Sequence, residues 1–209
     1  MDKIDLKKEL KEYYWNSTKE IKIVNVPTMN FLMVDGKGDP NISEEFTDAI
    51  QSLYSLAYTI KFTLKKESEI DYGVMPLEGI FWTDDMSKFS QGNKNIWKWT
   101  IMMMQPKFVT KKFFNDCLEE VKKRKNFQSL SEIRFEKYSE GSSAQIMYIG
   151  PYSDEGPTIM RVHDFVKEKG YELKGKHHEI YLGDPGRTKP EKLKTIIRQP
   201  IAKIEDNKK

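Results

Sequence analysis

The 209-residue chain has a single cysteine, Cys117, only 3 histidines, and a net charge of just +3 from 35 basic and 32 acidic side chains. No apolar run approaches the roughly 20 residues that a bilayer-crossing helix needs. Each shortage excludes something. One cysteine closes no internal disulfide, and without a charged-apolar-small leader at the N-terminus the expected compartment is a reducing cytoplasm. The missing hydrophobic span argues against a membrane partner, and the near-neutral charge leaves no basic footprint for direct nucleic-acid binding. Histidine scarcity bears on metals. His177 and His178 are adjacent, so on a strand they face opposite ways, and His163 is the only further candidate; no metal site is expected. The basic run Lys122-Lys123-Arg124-Lys125 reads as the solvated end of a helix. Gly36-Lys37-Gly38 lacks the rest of a phosphate loop and reads as a turn, and no Gly-x-Ser-x-Gly elbow occurs.

What is present is enough apolar material, 38% hydrophobic and 12% aromatic, for a substantial core without staples. Residues 3–15 carry apolar positions at helical spacing among Lys and Glu, which predicts an amphipathic helix within an N-terminal extension over 1–18. Residues 21–26 and 29–34 have strand character. Ser43 can cap a helix whose apolar set, Phe46, Ala49, Ile50, Leu53, Leu56, Ala57 and Ile60, recurs at three and four residues. Tyr54 and Tyr58 lie beside that stripe. Aromatic-rich strands follow over 77–82 and 96–105, with Trp97, Trp99, Ile101 and Met103 on one face. Thr110 opens a third helix, and Cys117 falls on its buried stripe as a small hydrophobe. Residues 133–138 and 144–149 suggest a hairpin, and a fourth helix over 158–169 stops at Gly170.

The order strand, helix, strand, strand then appears twice. Met33-Val34-Asp35-Gly36 corresponds to Met147-Tyr148-Ile149-Gly150; each is followed by a helix and by a strand carrying a glutamate, Glu78 or Glu179. Each half closes on Gln-Pro, at Gln105-Pro106 and Gln199-Pro200. The predicted fold class is α+β: two fused pseudo-symmetric halves, about 19–128 and 129–202, with antiparallel sheet and helices forming a central ligand groove, and a polar tail over 203–209. On the second glutamate strand, His177, Glu179 and Tyr181 share one face, and His178, Ile180 and Leu182 the other. A carboxylate beside a phenol, stripped of water among rings, can act as a base or hold a cation.

Phe31-Leu32-Met33-Val34-Asp35-Gly36-Lys37-Gly38-Asp39-Pro40, Pro76-Leu77-Glu78-Gly79, Tyr148-Ile149-Gly150-Pro151-Tyr152, His177-His178-Glu179-Ile180-Tyr181-Leu182 and Lys192-Leu193-Lys194-Thr195-Ile196-Ile197-Arg198-Gln199-Pro200 together resemble the stand-alone GyrI-like proteins over about residues 20–202. The resemblance implies a single small-molecule-binding domain over 19–202, free of cofactors, whose partner is a hydrophobic aromatic compound, in a monomer or weak homodimer. The pocket glutamate is matched by Glu179 with Tyr181 beside it, and Glu78 is the first-half counterpart. Ligand-binding positions are matched, by place on an element, by Tyr54, Tyr58, Trp82, Trp97, Trp99, Tyr148 and His178. Related stand-alone members are associated with hydrolysis of the cyclopropane ring of DNA-alkylating natural products, which would make Glu179, Glu78 and Tyr181 the catalytic set. Two other functions are open to the same family: sequestering or sensing flat, lipophilic, often cationic drugs, and interaction with gyrase.

Overall fold

The computed structural model describes residues 3–89 and 92–204. Its contacts divide the chain into two compact units, Met1–Lys11 with Met29–Tyr138, and Glu12–Thr28 with Ser139–Lys209. The expected α+β class holds, with nine strands and five α-helices among the described residues.

Near the N-terminus, the single amphipathic helix expected over 3–15 is replaced by two one-turn helices, α1 (Leu6–Glu9) and α2 (Lys11–Tyr14). So short a segment gains little from helical cooperativity. Two carbonyls are also claimed by side chains: Gln145 donates to Glu12 O, and the Arg198 guanidinium donates to Tyr13 O.

The first unit contains β2 (Met29–Lys37), α3 (Glu44–Glu67), β3 (Leu77–Trp82), β4 (Lys98–Gln105), α4 (Lys111–Arg124) and β5 (Arg134–Tyr138), which follow β1 (Lys22–Val26) in the chain. Its antiparallel sheet runs β3-β4-β2-β5. Ser43 Oγ accepts from Phe46 N at 3.1 Å and Thr110 Oγ1 from Phe113 N at 3.2 Å, satisfying donors that a helix start leaves orphaned. The apolar stripe of α3 is buried at Ala49, Leu53, Leu56, Ala57, Ile60 and Leu64, each of its leucines and isoleucine contributing about 1.5–3 kcal/mol on burial. Cys117 lies inside α4, and burial pushes its thiol up to about 11, so it packs as a hydrophobe.

The second unit holds β1 with β6 (Gly141–Ile149), α5 (Gly156–Glu168), β7 (Tyr171–Leu173), β8 (His177–Tyr181) and β9 (Lys194–Lys203). Its antiparallel order is β8-β9-β6-β1, and β7 pairs with the far end of β9. The strand-helix-strand-strand order expected from sequence is therefore used twice, as β2-α3-β3-β4 and as β6-α5-β8-β9, with the short β7 inserted before β8 in the second. The hairpin expected over 133–149 does not form. β5 pairs with β2, while β6 pairs with β1 and β9. Each copy takes its outermost strand from the segment preceding the other copy: β5 goes to β2, and β1 to β6.

The helices mark one face of each sheet. In the second unit Ile159, Val162 and Val166 of α5 pack with Ala144, Ile146, Ile197 and Ile201. In the first, Phe46 of α3 meets Trp99 edge to face at 5.0 Å, and Phe114 of α4 stacks on Phe135 at 5.5 Å. Because side chains alternate, these contacts assign every strand residue to the helix side or the opposite side.

Candidate functional site

The site begins with β8. Glu179 stands opposite Ile197 and Tyr181 opposite Thr195, and Ile197 packs against α5; the row His177, Glu179, Tyr181 therefore lies on the helix side. His177 Nε2 is 2.9 Å from Glu179 Oε1, and Tyr181 O–H donates to Glu179 Oε2 at 2.9 Å. A carboxylate only 6% exposed is thus gripped at both oxygens by the residues two before and two after it. Spacing along the strand produces this, because neighbours on one face are two residues apart, close enough for a ring to reach each side of a glutamate. Two donors offset much of what burying the carboxylate costs.

Around this row the helix side continues across the sheet. Tyr148 pairs with Thr195, which pairs in turn with Tyr181. The Tyr148 hydroxyl donates to Pro151 O at 3.0 Å, and Tyr152 meets Tyr181 edge to face at 5.4 Å. Burial, then the charges of Glu179 and Glu155, push the Tyr181 hydroxyl well above the ordinary phenol range. It stays protonated and donating. Glu155, 1% exposed at the start of α5, was not foreseen. His163, on α5 and half-buried, has its pKa lowered by burial and then by His177.

The opposite side of β8 is organised separately. His178 is buried, and its Nδ1 lies 2.7 Å from Glu140 Oε1, while Arg198 donates to Glu140 Oε2 at 2.9 Å and to Gln145 Oε1 at 2.9 Å. Burial alone would raise the Glu140 carboxyl; His178 and Arg198 outweigh it and hold the group at about 2. His178, expected among the ligand-binding residues, is thus committed to an ion-paired network on the other face from Glu179. Glu140 falls between the two strands of the hairpin expected over 133–138 and 144–149, where it reads as a turn residue, and no local signal marks it as the partner of residues 38 and 58 positions away.

In the first unit the expected residues are distributed differently. Glu78 is fully buried and opposite Met102, so it points away from α3 and α4, the same side as Trp82. Trp99 is fully buried on the helix side, its ring occupying the space left by Gly36, where a Cβ would come within 2.1 Å of it. Trp97 precedes β4 and is buried in a cluster, stacked on Phe89 at 4.5 Å and tilted against Phe81 at 5.6 Å. Tyr54 and Tyr58 form with Phe62 a stacked ladder along α3, centroids 6.3 and 6.0 Å apart, with all three rings partly exposed. A hollow of about 730 Å³ lies elsewhere, at the start of α3, lined by polar groups including Glu44, Glu45, Asp48 and Glu132 and by none of the expected site residues. Among the described residues no group of three His, Cys, Asp or Glu side chains could hold a metal, and no helix is long and apolar enough to cross a membrane.

A strand-helix-strand-strand order used twice, with a buried glutamate held at both oxygens on the second glutamate strand, makes an α+β domain of duplicated build. The model of the GyrI-like small molecule binding domain matches residues 19–202, and the chain belongs to that family. Among solved structures, an uncharacterized conserved protein from Listeria innocua is 40% identical, with 96% of this chain and 100% of that chain covered and a TM-score of 0.88. A protein called a hydrolase, also from Listeria innocua, is 39% identical over the same shares, with a TM-score of 0.82. The C-terminal domain of EcmrR, 12% identical with 88% of this chain and 98% of that chain covered and a TM-score of 0.56, shares the fold. No curated protein matches.

Proposed function

We propose that the chain is a cofactor-independent hydrolase that opens the cyclopropane ring of cyclopropanoid, DNA-alkylating natural products, with Glu179 as the base. The observation that carries this reading is the Glu179 carboxylate, buried on the helix side of β8 and hydrogen-bonded at both oxygens by His177 and Tyr181. It draws further support from the hydrolases of Listeria innocua, 39% identical over nearly the whole chain.

In the reaction, Glu179 accepts a proton from a water whose oxygen bonds to the less hindered cyclopropane carbon. The carbon–carbon bond of the ring breaks, and its electron pair moves into the conjugated dienone, which becomes a phenolate and takes up a proton. A fixed carboxylate saves the cost of orienting the base at the moment of attack. Tyr148, Tyr152 and Tyr181 supply aromatic surface on the same side for a flat substrate. Purified, metal-free protein incubated with such a compound should yield the ring-opened alcohol, heavier by one water in mass spectrometry. An unchanged compound, alongside a hydrolase competent on the same sample, would overturn the reading.

The stacked, partly exposed Tyr54-Tyr58-Phe62 ladder favours one rival, a module that binds flat lipophilic cations without altering them. The same mass spectrum separates the two, since a sequestering protein returns its ligand intact.

A further inference from the structure

We infer that His177 is the positioning residue of Glu179. The inference rests on the reading that Glu179 is the working carboxylate, and it adds a residue that the family resemblance did not bring with it.

Glu179 has two neighbours on its own strand face, and they are not equivalent. Tyr181 is partly exposed and carries an ordinary hydrogen-bond donor on a ring that also contacts Tyr152. His177 is only 2% exposed and brings an imidazole to 2.9 Å from Oε1. An imidazole has two nitrogens, and a carboxylate accepts without donating, so the contact requires the proton to sit on Nε2. With Nε2–H on Oε1 and the phenol on Oε2, rotation about the carboxylate's terminal bond would break both contacts together. The plane of the carboxylate is thereby set, and with it the direction from which a water can be deprotonated. Placement errors of about 1 Å at such a base lower rates on the order of 100-fold. His163, on α5, has its pKa lowered by burial first and then by His177, so it stays neutral near pH 7. Glu140, Arg198 and His178 face the other side of the sheet, and Glu155 lies toward Tyr181.

The test has two arms. In the first, ¹⁵N NMR of the imidazoles reads which nitrogen of His177 carries the proton. Protonated Nε2, with a signal that moves in Glu179→Ala and not in Tyr54→Phe, is the expected result; an unprotonated Nε2, or a signal indifferent to Glu179, overturns the inference whether or not the protein turns anything over. The second arm uses ring opening of the cyclopropanoid compound. His177→Phe should lower kcat by about 10- to 100-fold with KM within about twofold, and His177→Gln, whose amide returns a donor to the Nε2 position, should recover most of the loss. Equal kcat in wild type and His177→Phe would overturn the inference. Failure of the wild type to react, with the NMR result as expected, would remove the hydrolase reading and leave His177 as the group that orients Glu179 for ligand capture.

Discussion

Glu78 and Glu179 occupy the same place in a duplicated order of elements, yet Glu179 faces the helix of its own unit and Glu78 faces away from the helices of its own. Both closing strands place their glutamine on the helix side, Gln105 in β4 and Gln199 in β9, as the alternation from Trp99 and from Ile197 requires. Glu78 stands opposite Met102, three residues before Gln105; Glu179 stands opposite Ile197, two residues before Gln199. A slip of one residue in strand pairing moves a side chain to the other face. The repeat has therefore preserved topology while letting register decide whether each glutamate faces its unit's helices. A duplicated motif is evidence for a duplicated fold, and each copy's chemistry has to be read from its own register.

The largest effect expected from that difference is catalytic. Glu179→Gln keeps the shape and the hydrogen-bonding reach of the side chain while removing its basicity, so ring opening should fall by about 100- to 10,000-fold. Glu78→Gln should change kcat by less than about tenfold, or about 1.4 kcal/mol. Steady-state kinetics on the two variants checks this. Equal losses would mean that both glutamates serve one reaction and that the difference in facing is without consequence.

A second contrast runs through β8 itself, between the helix-side row at Glu179 and the opposite network at Glu140. The first is held by one imidazole and one phenol, the second by an imidazole and a guanidinium. Glu140→Gln would leave Arg198 buried without its counter-charge, a change that costs about 3–5 kcal/mol, measurable by urea denaturation. Its pH dependence has a definite sign. The folded carboxyl, at about 2, lies below its ordinary value of 4.5, so the stabilisation is present above about 4.5 and is lost as pH falls toward 2. The wild type should lose stability through that window and Glu140→Gln should lose less. Parallel curves would place the stabilising charge elsewhere.

Much of this was legible in sequence, and what was not has a common cause. Periodicity and caps gave the three long helices, because Ser43, Thr110 and the glycine after α5 at Gly170, with φ +76°, act locally. Alternation placed His177, Glu179 and Tyr181 on one face, since strand geometry fixes that relation without reference to anything distant. The partners of β1 and β5 were not legible: pairing of Val24 with Ser143, or Phe135 with Leu32, joins positions more than a hundred residues apart, and each strand is compatible with several neighbours. For the same reason Glu140 looked like part of a turn. Its role depends on His178 and Arg198, and a short charged segment before a glycine carries no trace of either.

The smallest expected effects concern the glycines of the motif repeated at Gly36 and Gly150, where the two units again use one residue type for different ends. A Cβ at Gly36 would come within 2.1 Å of the Trp99 ring, which is fully buried; Gly36→Ala should lower stability by about 1–3 kcal/mol through overpacking. A Cβ at Gly150 would instead come within 2.4 Å of the Tyr148 hydroxyl, the far end of a side chain, and this glycine lies at φ +151°. Removing that hydroxyl isolates the contact it makes with Pro151 O: Tyr148→Phe should cost only about 1 kcal/mol, the net worth of one hydrogen bond. If thermal denaturation instead showed Tyr148→Phe to be the more damaging of the two, the hydroxyl would be holding the start of α5 in place. The difference between the units would then extend from register into the way each sheet is joined to its helix.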